Sequence, residues 1–174
     1  MTEAAKEYYE KLFPGNESEF ARTDPEFTEF FTNFSCDEVV NQDDLDDRTR
    51  MMAILATLLG CQGIDEFKVM VPGALNAGLT PVEIKEIVYQ ACAYLGIGRV
   101  RPFLTAVNEI FADRGIALPL EGQATTTPED RVEKGEQAQV DIFGDGMKGF
   151  AQSGPEERRH INRWLSGNCF GDSY

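Results

Sequence analysis

The chain has 174 residues, the size of one domain or of one domain with an appendage, which excludes two large domains. Apolar residues make up 42% of it, enough for a packed core, and 30 acidic against 16 basic side chains leave a net charge of −14, a polyanion that repels nucleic-acid phosphates and anionic lipid. The longest apolar run, residues 51–59, is about half a membrane span, and MTEAAKEYYEK lacks the apolar stretch of a secretory signal, so the chain reads as cytoplasmic.

The first strong local signal is acidic. Asp37, Glu38, Asp43, Asp44, Asp46 and Asp47 follow one another with no base between them. This run reads as a solvated helix start, because the glycine and terminal Glu of a calcium loop are missing. Behind it, residues 51–110 carry five acids and four bases and form the near-neutral core. Met51, Ile54, Leu55, Leu58 and Leu59 share one helical face and predict a first core helix buried on nearly all sides, with Asp46 and Asp47 at the positive end of its dipole. A second helix is predicted over 65–77, kinked or shifted in its start by Pro72 and stopped at Gly78. Thr80-Pro81-Val82-Glu83 is a capping box with proline at the first helical position, opening a third helix that ends near Gly96. A fourth runs from Pro102 to Gly115 through Phe103, Ala106, Val107, Ile110 and Phe111. No segment alternates long enough for a convincing strand, so the class is all-α, a helical bundle.

Residues 116–130, rich in Pro, Thr and Gly, read as a linker between a first domain, 1–115, and a second unit, 131–174. That unit repeats the beginning of the chain. At an offset of 130, Phe13, Phe20, Ala21, Pro25 and Glu26 match Phe143, Phe150, Ala151, Pro155 and Glu156, and Leu12 faces Ile142. At an offset of 135, Asn33 matches Asn168 and Asp37 matches Asp172. The expectation is a tandem duplication whose second copy is truncated before its own core helices, with Trp164, Leu165 and Phe170 as packing residues for a core that lies elsewhere. The glycines of 144–149 fit a dinucleotide fingerprint in form only, because no strand precedes them. Cys36, Cys61, Cys92 and Cys169 are spaced irregularly and accompany a single His, which argues for free thiols and against a zinc site. No metal or cofactor is expected.

The string LDDRTRMMAILATLLGCQGIDEFKVMVPGALNAGLTPVEIKEIVYQACAYLGIGR resembles the core of the carboxymuconolactone decarboxylase family, which includes the alkylhydroperoxidase D proteins, most specifically in GALNAGLTPVEIKEIVYQ and AYLGIGR. The resemblance implies a helical bundle that assembles into trimers or hexamers, with sites at or near subunit interfaces. It also implies which positions to inspect. Where peroxidase members carry Glu, Cys, Cys and His, this chain has Met51, Gly63, Glu66 and Met70, so a thiol peroxidase is not expected. The one histidine, His160, lies outside the matched region. A decarboxylase-like lyase is expected to act on a small carboxylated lactone or related metabolite, in a site completed by a neighbouring chain or by the remainder of the second domain. Its pocket candidates are Glu38, Cys61, Glu66 and Tyr94, with Arg50 and Arg99 to hold substrate carboxylates and Arg101 to help offset the negative charge. The competing expectation is a catalytically degenerate module that serves oligomerisation.

Overall fold

The computed structural model describes residues 1–172, which are helical throughout their regular segments, with no strand among them. Three helices precede the predicted core: α1 (Glu3–Leu12), α2 (Phe20–Thr23) and α3 (Pro25–Asn33), the last winding into a π-helical turn over Phe34–Glu38. The core itself is α4 (Asp47–Cys61), α5 (Ile64–Asn76), α6 (Pro81–Leu95) and α7 (Ile97–Asp113). After the connection come α8 (Arg131–Phe143) and α9 (Arg159–Trp164), and α9 again winds into a π-helical turn, Leu165–Gly171. No helix among the described residues is long and apolar enough to cross a membrane.

The signals at the helix starts carry over into geometry. Asp46 accepts from the Thr49 backbone N–H at 3.0 Å, and this cap with the Thr49 hydroxyl holds its carboxyl below the usual range. At α6 the box closes from both sides: Glu83 N–H donates to the Thr80 hydroxyl at 3.2 Å, and Thr80 N–H donates to the Glu83 carboxylate at 2.7 Å. The acidic run is less solvated than expected, because Asp47 accepts from the Tyr8 hydroxyl at 2.8 Å and from Lys11 at 2.5 Å, tying α1 to α4. The prolines break less than expected. α5 starts at Ile64 and continues through Pro72, and α7 starts at Ile97, ahead of Pro102. Each proline removes one backbone donor, a loss that packing on the apolar face absorbs.

Met51, Leu55 and Leu59 of α4 meet Phe67, Val71 and Ala74 of α5, Ile84 and Val88 of α6, and Phe103, Val107 and Phe111 of α7 in one buried cluster. The expectation that α4 is covered on nearly all sides fails. Ala53, Ala56 and Thr57 are exposed, and Ile54 and Leu58 line a shallow apolar depression of about 270 Å³, because α5 and α6 pack on one side of the helix only. α1 closes another side of the core through Leu12 and Phe13. A Cβ at Gly73 would lie 2.6 Å from the Phe13 ring, so the absence of a side chain there makes the seat for that ring. The Asn76 amide fixes the same junction by donating to the Leu12 carbonyl at 2.6 Å.

The later unit packs α8 along its own π-helical turn, with the Ser166 hydroxyl donating to buried Gln139 at 2.6 Å. One detail recurs in both halves. Thr2 N–H donates to Asn33 at 2.8 Å and the Thr2 hydroxyl to Asp37 at 2.7 Å, while Arg131 donates to Asn168 at 3.1 Å and to Asp172 at 2.6 Å. Each π-helical turn, with the residue that borders it, thus offers an Asn and an Asp, and each pair clasps the start of the helix packed beside it.

Candidate functional site

The side chains nominated from sequence are dispersed. Glu38 is exposed in the first π-helical turn, Cys61 is exposed at the end of α4 with its thiol toward the Leu58 carbonyl, and Tyr94 is 79% exposed near the end of α6. Among the described residues no hydrogen bond, ion pair or ring contact joins any two of Glu38, Cys61, Glu66 and Tyr94. Glu66, at the surface of α5, loses enough water to its neighbours that its carboxyl is pushed up. Burial, then the charges of Cys36 and Glu66, raises the Tyr9 hydroxyl on α1. Burial also pushes the Cys36 thiol up, against a weaker opposing contact from Ser35, so the thiol stays protonated and is a poor nucleophile.

Arg50 is buried at 9% exposure and acts as a tie. Its guanidinium donates to the Leu45 carbonyl at 3.0 Å and the Val40 carbonyl at 3.3 Å and lies 3.5 Å from Asp43, pinning the loop ahead of α4. Its Nε is buried without a partner beside the shallow depression on α4. Arg99 and Arg101 are exposed on α7. They do not converge with Arg50 on either of the two cavities described here.

Polar groups do converge between α6 and α7. There a cavity of about 460 Å³ is walled by Lys85, Glu86 and Tyr89 on α6, Asn108 on α7 and the strap 118–123. Lys85 is only 6% exposed, its ammonium donates to the Asn108 side-chain oxygen, and it stands 5.8 Å from the centre of the Tyr89 ring. It has no ion-pair partner among the described residues, and burial lowers its pKa. Glu86 Oε2 is buried with no hydrogen-bond partner, and burial raises that carboxyl. A buried amine drawn toward neutrality, beside a carboxyl drawn the same way, in one ligand-sized cavity, is an arrangement suited to proton transfer.

The sequence hid this site for two reasons. Lys85 and Glu86 sit between the apolar residues Ile84 and Ile87, where a charged pair reads as the solvent face of an amphipathic helix. What covers them is the 118–123 strap, placed by composition in a linker. The legible signal was the triplet Leu118-Pro119-Leu120, too apolar for a solvated connection.

Comparison with known proteins bears on the same helices. Residues 25–109 match the profile of the carboxymuconolactone decarboxylase family. Over these residues the chain is similar to that family. It is also similar to the 4-carboxymuconolactone decarboxylase of Acinetobacter baylyi, with 29% identity over 92 residues, covering 53% of this chain and 69% of that protein. No solved structure gives a significant match. Within the family core, Met51 is 1% exposed and packs in the bundle with half-buried Met70 against it, so two of the positions singled out by the peroxidase pattern serve packing. Lys85, Glu86 and Asn108 lie inside the matched span, and the strap that covers them lies beyond it.

Proposed function

We propose that this protein is a lyase of the decarboxylase type, acting on a small carboxylated metabolite in the cavity between α6 and α7. Lys85 supplies the positive charge that stabilises the electron pair left as CO₂ departs, and Glu86, whose carboxyl burial pushes up, supplies the proton that replaces the carboxyl group. The observation that carries this reading is that the Glu86 Oε2, buried without a hydrogen-bond partner among the described residues, shares a cavity with the Lys85 ammonium, which donates to Asn108 and has no ion-pair partner there. CO₂ release from a panel of small carboxylated lactones and keto acids is the direct assay. Glu86→Gln should lower kcat by about 10²- to 10⁴-fold with little change in KM, because the proton is needed only as the bond breaks. The pH profile follows from the Glu86 shift. Glu86 must be protonated, and that form is lost as pH rises through its raised pKa, so turnover should fall on the alkaline side of that titration. A profile that keeps climbing through it would contradict the assignment.

A second reading, assembly, rests on separate surfaces. Phe27, Phe30, Phe31 and Phe34 are between 51% and 66% exposed, and the open side of α4 adds Ile54 and Leu58. Scattered apolar side chains are ordinary on a protein surface, whereas grouped aromatics of this kind call for a partner. We therefore propose a homo-oligomer, with sedimentation expected to show a trimer or a larger multiple at micromolar concentration; a stable monomer would remove this reading. The duplication belongs with it. Leu12 and Phe13 are 4% and 7% exposed against α5, while Ile142 and Phe143, their matches in the second unit, are 63% and 60% exposed. On this proposal residues 131–172 repeat residues 1–38 and present the corresponding face to a core outside the described residues.

A further inference from the structure

Building on the lyase reading, we infer that Lys85 works covalently, forming an imine with a ketone carbonyl, and that the substrate class is a small β-keto monocarboxylic acid. The first reason is the charge balance of the cavity. Lys85 is the one cationic side chain among its lining residues, against the carboxyl groups of Glu86 and Glu121. A dianionic substrate would leave charge uncompensated there, so one carboxylate is what the cavity can take.

The second reason is the company Lys85 keeps. An ammonium retained for its charge is ordinarily paired with a carboxylate when buried this deeply. This one donates to the neutral Asn108 amide and stands near the Tyr89 ring. Desolvation favours the neutral amine, the form that attacks carbonyl carbon. The Asn108 oxygen fixes the nitrogen from one side, and the 118–123 strap restricts the space to a small molecule.

The sequence of bonds balances. The neutral Lys85 amine attacks the ketone carbon, forming the C–N bond of a carbinolamine as its N–H proton passes to the former carbonyl oxygen. Protonated Glu86 then gives its proton to the carbinolamine hydroxyl, which leaves as water and produces the iminium. The carbon–carbon bond to the carboxylate breaks, CO₂ leaves, and the electron pair moves into the iminium to give an enamine. Glu86, recharged with a proton from solvent, protonates the enamine carbon. Water then hydrolyses the iminium, releasing the ketone, restoring the amine and returning a proton to Glu86. The net change is keto acid plus one proton to ketone plus CO₂, with no oxidant or reductant consumed.

Borohydride reduction tests this on the unmodified full-length chain. With acetoacetate as the probe, sodium borohydride should fix a secondary amine whose mass is that of the keto acid, or of its decarboxylated ketone, less water and plus two hydrogens. Peptide mapping should place it on Lys85. No adduct, or one spread over surface lysines such as Lys68 and Lys148, overturns the inference. Lys85→Arg keeps the charge but cannot form the imine. Its acetoacetate turnover should fall by at least about a hundredfold, and the adduct should vanish. If Lys85→Arg instead keeps turnover, the imine is wrong while the lyase reading stands. If Lys85→Met and Glu86→Gln both leave CO₂ release intact, the lyase reading itself fails.

Discussion

Replacing Phe67 by Ala should remove about 3–5 kcal/mol of stability, against the roughly 5–15 kcal/mol that holds a typical domain together. Phe67 is fully buried on α5 and meets Phe103 of α7 edge to face, with ring centres 5.0 Å apart and planes at 85°. Around it lie Val71, Ile84 and Val107, each 0% exposed, so a cavity left by the ring has no mobile neighbour to collapse into it. The measurement is urea unfolding followed by circular dichroism, with the midpoint lowered and the slope unchanged. A loss below about 1 kcal/mol would mean that the core repacks around the missing ring. The same ring contact supports the cavity, because it sets α5 against α7, and α7 carries Asn108 opposite Lys85.

Gly135→Ala should release α8 from the second π-helical turn while leaving the α4–α7 core folded. A Cβ at Gly135 would stand 1.8 Å from the Ser166 carbonyl oxygen and 2.7 Å from the Gly171 nitrogen, both backbone atoms that cannot rotate aside. The two segments must then part, and the Ser166–Gln139 hydrogen bond and the Arg131 clasp on Asn168 and Asp172 are lost with them. The chain has a single tryptophan, Trp164, at the end of α9, so its fluorescence reports this unit alone. The expected result is faster quenching of Trp164 by acrylamide and proteolysis confined to residues 131–172, with the cooperative unfolding of the core unmoved. Loss of the core transition as well would show that the second unit is coupled to the bundle.

The residues paired by the sequence offset, Asn33 and Asp37 with Asn168 and Asp172, each contact the start of a neighbouring helix near a π-helical turn. Local rules carry into the geometry at α6, where Thr80 and Glu83 close their box, and at α4, where Asp46 caps the first turn. The stripe Met51, Leu55 and Leu59 is buried as its spacing requires. The same logic failed where a residue's partner lies far along the chain. Asp47 was assigned to solvent and is held by Lys11 and Tyr8.

The sequence by itself determined the helical class, the boundaries of the core helices to within five residues, the resemblance to the family and the departure from its peroxidase pattern, because each depends on neighbours within a turn or two or on the order of residues alone. Tertiary structure decided the rest. Whether a charged residue on an amphipathic helix faces water or a cavity depends on what crosses over it, and at Lys85 and Glu86 that is the strap 118–123. Burial there shifts both protonation equilibria, and burial is a property of the packed chain: the lysine is pushed toward its neutral amine and the glutamate toward its neutral acid by the loss of water that packing brings.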